Sequence, residues 1–424
     1  MRYVVIGNGA AGTAAAEALA EAGAEGEIIV LSEEPYPYYA RVLTSYYVAG
    51  WVKPEDIWLA DTAWYTGRKI DFRPGQRVVG IDPLRRKLML EGSAELEYDR
   101  LLIATGASPQ KLEVPGADLP GVFTLRTLDD ARKLKEWCRD LRFAVVVGGG
   151  LVGVKAAEAL KALGLEVSLV VSSPHLLSQA LDAEGALLLQ EAMEQEGYRL
   201  YLQEDVVALE GSKKVEGARL RSGRTLPAQV VVVAKGVRPN ISFLEGSGIE
   251  VGRGILVNEY LETTRPGIFA AGDVAEAYDR VREAPRVNAL WGNAREQGRI
   301  AGLNMAGKKV PYRGSLAQNS LICAGLGVIT GGVVNPPEEG EYEVRVSRDR
   351  KRRFYRKAVL QGRRLTGMVA VGPTQGTGPF MALLGKEVKE EQVKAFLSGS
   401  FSLAHVLPLR AVYIGRALQR GQIG

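Results

Sequence analysis

Val4-Val5-Ile6-Gly7-Asn8-Gly9-Ala10-Ala11-Gly12 and, further along the chain, Val145-Val146-Val147-Gly148-Gly149-Gly150-Leu151-Val152-Gly153 decide the fold. Each has a β-branched run, then glycines spaced G-x-G-x-x-G, then a stretch rich in small helix formers. In a βαβ unit the first glycine permits a tight turn. The second lets backbone approach a pyrophosphate, and the third lets the helix pack on the strand. Amides at the helix start and the helix dipole then stabilise phosphate charge. One such motif is weak evidence. Two, each between a strand and a helix, specify two dinucleotide sites on one chain. A protein holding two dinucleotides is suited to passing electrons between them. The bland alternative, a glycine turn without a ligand, explains one motif better than two.

Working outward, the repeat extends past the glycines. Glu166-Val167-Ser168-Leu169-Val170-Val171-Ser172-Ser173 matches Glu27-Ile28-Ile29-Val30-Leu31-Ser32-Glu33-Glu34 in type and place. This indicates two copies of one nucleotide-binding fold. A carboxylate roughly 20 residues past the glycines grips the adenosine ribose. Glu33 and Glu34 are the candidates in the first copy, with a solvated turn as the alternative. The second copy has Ser172 and Ser173 there. No carboxylate repels a 2′-phosphate, so NADPH is tolerated beside NADH, and no arginine adjoins the serines to select it.

The rest of the chain reads in the same terms. Ala10–Ala22 is a helix, Pro35–Tyr39 an extended loop, and Ala40–Ala49 a short helix. Arg77–Ile81 and Lys87–Leu90 pair around the Asp82-Pro83 turn. Leu101–Ala104 is a buried strand ending at Thr105-Gly106, and Asp129–Asp140 is an amphipathic helix. Val230–Ala234 closes the second copy, and Ile268–Ala271 returns the chain to the first. After Gly314, Glu341–Val346, Phe354–Leu360 and Leu365–Val371 read as antiparallel strands, with helical stretches from Phe380 onward.

Composition narrows the classes. With 424 residues, 46% hydrophobic and 24% charged, the chain can build two or three domain cores. Lys and Arg number 54 against 49 Asp and Glu, for a net charge of +5. That mild balance gives no argument for nucleic acid. Cys138 and Cys323 are too few for a disulfide framework or a metal cluster, and His175 and His405 offer little for metal or acid–base chemistry. No metal is expected. Low cysteine use suits a reducing cytoplasm. With a strand at its start the chain is expected to carry no signal peptide, and no apolar run reaches membrane-spanning length.

Together the blocks resemble the pyridine nucleotide–disulfide reductase superfamily of flavoproteins. They are Gly7–Gly12, Ala104-Thr105-Gly106-Ala107, Gly148–Gly153, Gly236-Val237-Arg238-Pro239-Asn240 and Ile268-Phe269-Ala270-Ala271-Gly272-Asp273. The resemblance implies an α/β fold of glutathione-reductase type: two Rossmann-like domains plus a C-terminal α+β interface domain. FAD would be held by 1–115 and 244–314, NADH or NADPH by 116–243, and 315–424 would form the interface domain of a homodimer or heteromer. Asp273, with Gly272, matches the aspartate on the ribityl chain. The helix Asn288–Met305, including Trp291, matches the one whose N-terminus faces the flavin. Ala104, Thr105 and Gly106 join the FAD set, and Gly236 the NAD(P)H set. Pro37–Leu43, Ala289–Gly298 and Tyr355–Leu360 are similar to rubredoxin reductases, NADH oxidases and the flavin module of nitrite reductases, which implies Arg41 near the FAD pyrophosphate.

The departures carry as much information. Disulfide reductases of this type use a Cys-x4-Cys pair or one reactive cysteine near 40–50; here the stretch is Ala40-Arg41-Val42-Leu43-Thr44-Ser45-Tyr46-Tyr47-Val48. Their C-terminal His-Pro-Thr motif is also absent. Many relatives carry glutamate two residues past the third glycine of the second fingerprint, where this chain has Lys155. Lys155 is either a flavin-facing cation with a catalytic role or a solvent-facing helix lysine. Both cysteines read as packing groups. The run Arg345, Arg348, Arg350, Lys351, Arg352, Arg353, Arg356, Lys357, Arg363 and Arg364 is a solvated hairpin or a docking patch for an acidic electron carrier. The tail Leu403–Leu418 suits a subunit contact or core packing better than a membrane surface. These features predict an FAD-dependent NAD(P)H oxidoreductase that serves an external rubredoxin- or ferredoxin-type acceptor. A relay subunit of a larger dehydrogenase or nitrite reductase, and a flavin redox sensor, are the alternatives.

Overall fold

The computed structural model describes residues 1–338 and 340–406. They form two compact units: Met1–Gly148, Lys155–Val167 and Val206–Leu316 in the first, and Gly149–Val154, Ser168–Asp205 and 317 onward in the second.

In the first unit a five-stranded parallel sheet runs in the order Ile268–Ala270, Arg100–Ile103, Arg2–Ile6, Glu27–Ser32, Ile70–Pro74. Its central strands are apolar without alternation because both faces are covered. Val4 and Ile6 pack into one core with Ile29, Leu31 and Leu101. Tyr3 and Val5 pack into another with Ala11, Ala15, Leu19 and Ala301. The helix Ala10–Glu21 is nearly all small residues because it packs closely on the helix Trp291–Met305. A Cβ built on Gly298 would fall on the Ala11 carbonyl, and one on Gly302 on the backbone of Ala15.

The same unit holds a second parallel set, in which Phe143–Val147 pairs with Val230–Val233 and that strand with Val122–Phe123. Antiparallel three-stranded sheets, Val78–Asp82 with Lys87–Leu90 and Glu95–Glu97, and Val206–Glu210 with Gly217–Leu220 and Thr225–Pro227, flank the two sets. The expected helix at 40–49 is a 3-10 turn, Arg41–Leu43, followed by Thr44–Ala49. The helix expected at Asp129–Asp140 runs Leu128–Trp137 and starts in a capping box of Thr127 and Asp130.

In the second unit, the strand ending at Val171 pairs in parallel with Arg199–Leu202, alongside the helix Ala183–Gln195. A five-stranded antiparallel sheet follows in the order Gln318–Cys323, Leu326–Gly332, Arg364–Val371, Phe354–Gln361, Tyr342–Asp349. Its last three strands were expected; the first hairpin was not. The Asp182 carboxylate caps the helix Ala183–Gln195 and accepts from Lys357 Nζ at 2.7 Å and Tyr355 Oη at 2.5 Å. Burial alone would raise this carboxyl, but the lysine and tyrosine outweigh it and hold it below the usual carboxylate range. Helical stretches near the end are short, Thr377–Met381 and Glu390–Ser398. The tail reading Leu403–Leu418 lies from 407 onward outside the described residues.

The glycine-mediated helix contact gives a stability test. Gly298→Ala should cost the holoprotein about 1–3 kcal/mol in urea unfolding, since the added methyl meets rigid backbone. Gly67→Ala, helical and with nothing within 4 Å of its Cβ, should cost nothing and gain up to about 1 kcal/mol by the same measurement.

Candidate functional site

At the first fingerprint, Gly7 has φ +111°, and a Cβ there would fall on the carbonyl oxygen of Ala104. A Cβ on Gly12 would fall on the Gly7 carbonyl. Gly9 differs: nothing lies within 4 Å of where its Cβ would be. Two glycines therefore serve packing and the middle one faces open space. The helix Ala10–Glu21 starts at Gly9 with no side-chain cap and no acid in its first turn, so its leading N–H groups can donate to an anion.

Charged side chains of the same unit are paired with one another. Tyr39 Oη donates to Glu34 Oε2 at 2.7 Å and accepts from Arg41 Nη1 at 2.9 Å and the Leu128 amide at 3.0 Å. Arg41 also pairs directly with Glu34. Burial, with Glu34 beside it, drives the Tyr39 hydroxyl well above its ordinary range. The two candidate ribose carboxylates thus part company. Glu34 is held by Arg41 and Tyr39, while Glu33 is 72% exposed, with Arg77 at 3.6 Å. Arg126, which belongs to none of the sequence motifs, sits 2.9 Å from Asp273 through Nη2. The Gly272 amide donates to Gln297 Oε1 at 2.8 Å, and Trp291 Nε1 donates to Tyr38 Oη at 3.1 Å at the head of its helix.

The second fingerprint repeats the pattern. Gly148 has φ +120°, and its Cβ would fall on the carbonyl of Ala234, the counterpart of Ala104. In the second unit, Gly149 packs on Val171 and Leu176, Gly150 faces open space, and Gly153 is buried. Ser172 is exposed, and Ser173 Oγ donates to the His175 carbonyl at 2.8 Å. Gly236 sits at φ +97° in the turn after Val230–Val233.

Lys155 is not a solvent-facing lysine. Its side chain is 17% exposed, its Nζ lies 2.6 Å from Glu158 Oε2, and it sits 4.5 Å from the Tyr46 ring centroid and 5.7 Å from that of Trp51. Burial would lower its pKa, but the Glu158 carboxylate outweighs that and holds it above the ordinary lysine range.

Both cysteines are buried, and burial pushes the Cys138 thiol up to about 12. The basic run is largely paired within its own unit. Arg345 meets Glu343 and Glu390 at 2.6 and 2.5 Å. Arg348 pairs with Glu184, Arg350 with Glu191, and Lys357 with Asp182. Arg356 is buried, donates to the carbonyls of Tyr355 and Pro373, and is pushed down to about 10 by burial. No group of His, Cys, Asp and Glu able to hold a metal occurs among the described residues. Nor is any described helix long and apolar enough to cross a membrane.

Residues 1–298 match the family model described as pyridine nucleotide-disulphide oxidoreductase. The chain belongs to this family. It is 33% identical over 378 residues to the assimilatory nitrate reductase electron transfer subunit of Bacillus subtilis, covering 88% of this chain and 48% of that one. It is 34% identical to the NADH-dependent phenylglyoxylate dehydrogenase subunit epsilon of Aromatoleum evansii, covering 85% of each. The crystal structure of a ferredoxin reductase from Rhodopseudomonas palustris superposes with a TM-score of 0.86 at 27% identity, covering 96% of this chain and 100% of that one. The chain spans about half the length of the first curated relatives it matches, 48% and 47%.

Buried thiols give a direct test. At pH 8 a thiol-specific reagent should label neither cysteine in the native protein and both in denaturant, read by absorbance or mass.

Proposed function

We propose that the chain is an FAD-dependent oxidoreductase that takes hydride from NADH or NADPH and delivers electrons to an external iron–sulfur or rubredoxin-type carrier. The observation that carries this reading is the duplicated glycine turn. In each copy the first glycine rests on a strand-end carbonyl, Ala104 or Ala234, and the middle glycine, Gly9 or Gly150, leaves room for a pyrophosphate.

The residues present suit FAD in the first copy. Gly9 and the uncapped helix start would receive the pyrophosphate, with Arg41 as its counter-charge. Glu33 would take the ribose, Asp273 the ribityl chain, and Ala104, Thr105, Gly106, Gly272 and Trp291 would line the flavin side. Gly148, Gly150, Gly153, Ser172, Ser173 and Gly236 would serve NAD(P)H. On this division 1–115 and 244–314 form the FAD domain, 116–243 the NAD(P)H domain and 315–424 an interface domain. Bound FAD accepts a two-electron hydride and can release electrons one at a time. The protein's part is placement and charge. Lys155, held by Glu158, Tyr46 and Trp51, supplies a fixed donor two residues beyond Gly153. With both thiols buried and no sulfur in the 40–50 stretch, the electrons have no cysteine acceptor within the described chain. A reducing cytoplasm suits these free thiols.

A second reading is a relay subunit of a larger reductase or dehydrogenase. It is favoured by two relatives named as subunits, one of them about twice this chain's length.

Anaerobic mixing of the purified yellow protein with NADH and NADPH should bleach the flavin band. Bleaching by neither nucleotide sinks the enzyme reading. Gly150→Val should abolish bleaching with FAD retained, and Gly9→Val should lose FAD, both without unfolding, since each Cβ enters open space. Loss of FAD from Gly150→Val instead would reverse the two sites. Ser172→Asp should raise the KM for NADPH by about tenfold while sparing NADH, because the new carboxylate repels a 2′-phosphate; an equal effect on both nucleotides would remove Ser172 from the ribose site.

A further inference from the structure

The two fingerprint copies are tied to each other through a short ribbon in the first unit. After each strand-end carbonyl comes a glycine turn, Ala104-Thr105-Gly106 in one copy and Ala234-Lys235-Gly236 in the other, with Gly106 at φ +67° and Gly236 at φ +97°. Each turn runs straight into a three-residue strand, Ala107–Pro109 or Val237–Pro239. These strands pair antiparallel, Ala107 with Pro239 and Pro109 with Val237. The ends close symmetrically. The Asn240 amide donates to the Gly106 carbonyl at 2.9 Å, and the Gln110 amide donates to the Gly236 carbonyl at 2.9 Å. Thus each turn is bonded to the strand leaving the other.

The symmetry stops at the side chains. Asn240 Nδ2 donates to the Thr105 carbonyl at 2.9 Å, Thr105 Oγ1 donates to the Asn240 carbonyl at 2.9 Å, and Ser108 Oγ donates to Asn240 Oδ1 at 2.8 Å. With the amide bond, Asn240 makes four hydrogen bonds onto the segment 105–108. A backbone ribbon of three residues resists shear weakly, because few ladder bonds hold it. Reciprocal side-chain bonds to Thr105 fix what the ribbon leaves soft.

We infer that Asn240 is a positioning residue for hydride transfer: it registers the Thr105-Gly106 turn, assigned above to FAD, against the Gly236 turn, assigned to NAD(P)H. The inference rests on the functional reading given above. Displacement of a reacting pair by about 1 Å can cost on the order of a hundredfold in rate without loss of binding. Asn240 acts through its bonds to Thr105, Gly106 and Ser108. Its effect falls on the rate of flavin reduction, not on the content of either nucleotide.

The test is anaerobic stopped-flow reduction of the FAD-loaded protein by NADH, with the nucleotide affinity and the limiting rate constant resolved separately. Asn240→Ala should keep full FAD content, a thermal midpoint near wild type and NADH affinity within about threefold, while the limiting rate falls by about 10- to 100-fold. Asn240→Asp keeps the shape but cannot donate to the Thr105 carbonyl, so it should fall nearly as far. Ser108→Ala removes only the outer bond and should stay within about threefold of wild type. A wild-type limiting rate in Asn240→Ala overturns the inference alone. So does loss of FAD or a collapsed thermal midpoint in both Asn240 variants, which would make the residue a fold element only. If neither nucleotide reduces the wild-type flavin, the functional reading fails and takes this inference with it.

Discussion

The contact on which the rest of the first unit depends is between a glycine and a strand-end carbonyl. Gly7 sits at φ +111° with its missing side chain directed at the Ala104 oxygen, and Gly148 at φ +120° faces Ala234 in the same way. Both the dihedral and the clash forbid any other residue. The neighbouring bonds also repeat: the Ala104 amide donates to the Ile6 carbonyl, and the Ala234 amide to Val147, each at 2.8 Å. These contacts set where each central strand stops and where each helix starts. Gly12 then lets the first helix lie against the Gly7 carbonyl. Gly298 and Gly302 let a second helix lie against the first. The close packing in turn explains why Ala10–Glu21 carries alanine where larger apolar residues would raise burial.

The charged pairs of the same unit obey a different constraint. Arg41 and Arg126 are each less than a third exposed, and each faces a carboxylate, Glu34 or Asp273. Partly buried pairs of this kind add little net stability, because desolvation offsets most of the Coulomb gain. Their value is geometric. Tyr39 bonds both members of the first pair and the Leu128 amide as well. This fixes the Arg41 fork, and under the proposed function that fixing would lower the ordering cost of binding an anion.

The fold was legible where the pattern was set by burial on both faces or by glycine geometry. Arg2–Ile6, Glu27–Leu31 and the run Val145–Val147 read as strands because nothing polar interrupts their interiors. Ile70–Pro74 carries no such pattern because it is an edge strand with Asp71 and Arg73 turned partly to solvent. The hairpin Gln318–Gly332 was obscured by its glycines, of which Gly327 and Gly331 meet Thr374 and Leu384 closely, a tertiary requirement invisible in local sequence. Among site residues, both glycine turns were readable from spacing alone. The different pairing of Glu33 and Glu34 was not, since it depends on Tyr39 and Arg41 folding back onto one carboxylate. Arg126 gave no signal because its partner, Asp273, is distant in sequence. The pairing of the basic run was hidden for the same reason: its acidic partners Asp182, Glu184 and Glu191 lie at the cap of, and along, a helix far upstream.

Lys155 shows how context changes the meaning of a charge. A bare cation beside a redox group would stabilise added negative charge over several ångströms. With Glu158 at 2.6 Å the pair carries no net charge, and its field falls off as a dipole's does. The Tyr46 and Trp51 rings over the ammonium hold it in place and exclude water from one side. What survives the pairing is local: an oriented N–H donor and a contact between Lys155 and Tyr46 within the first unit. Charge tuning at long range is the weaker role for such a group, and short-range orientation the stronger. The same logic governs Asn240, which carries no charge and acts only through the direction of its bonds. In both cases the chain meets the demand for placement with fixed dipoles rather than with net charge.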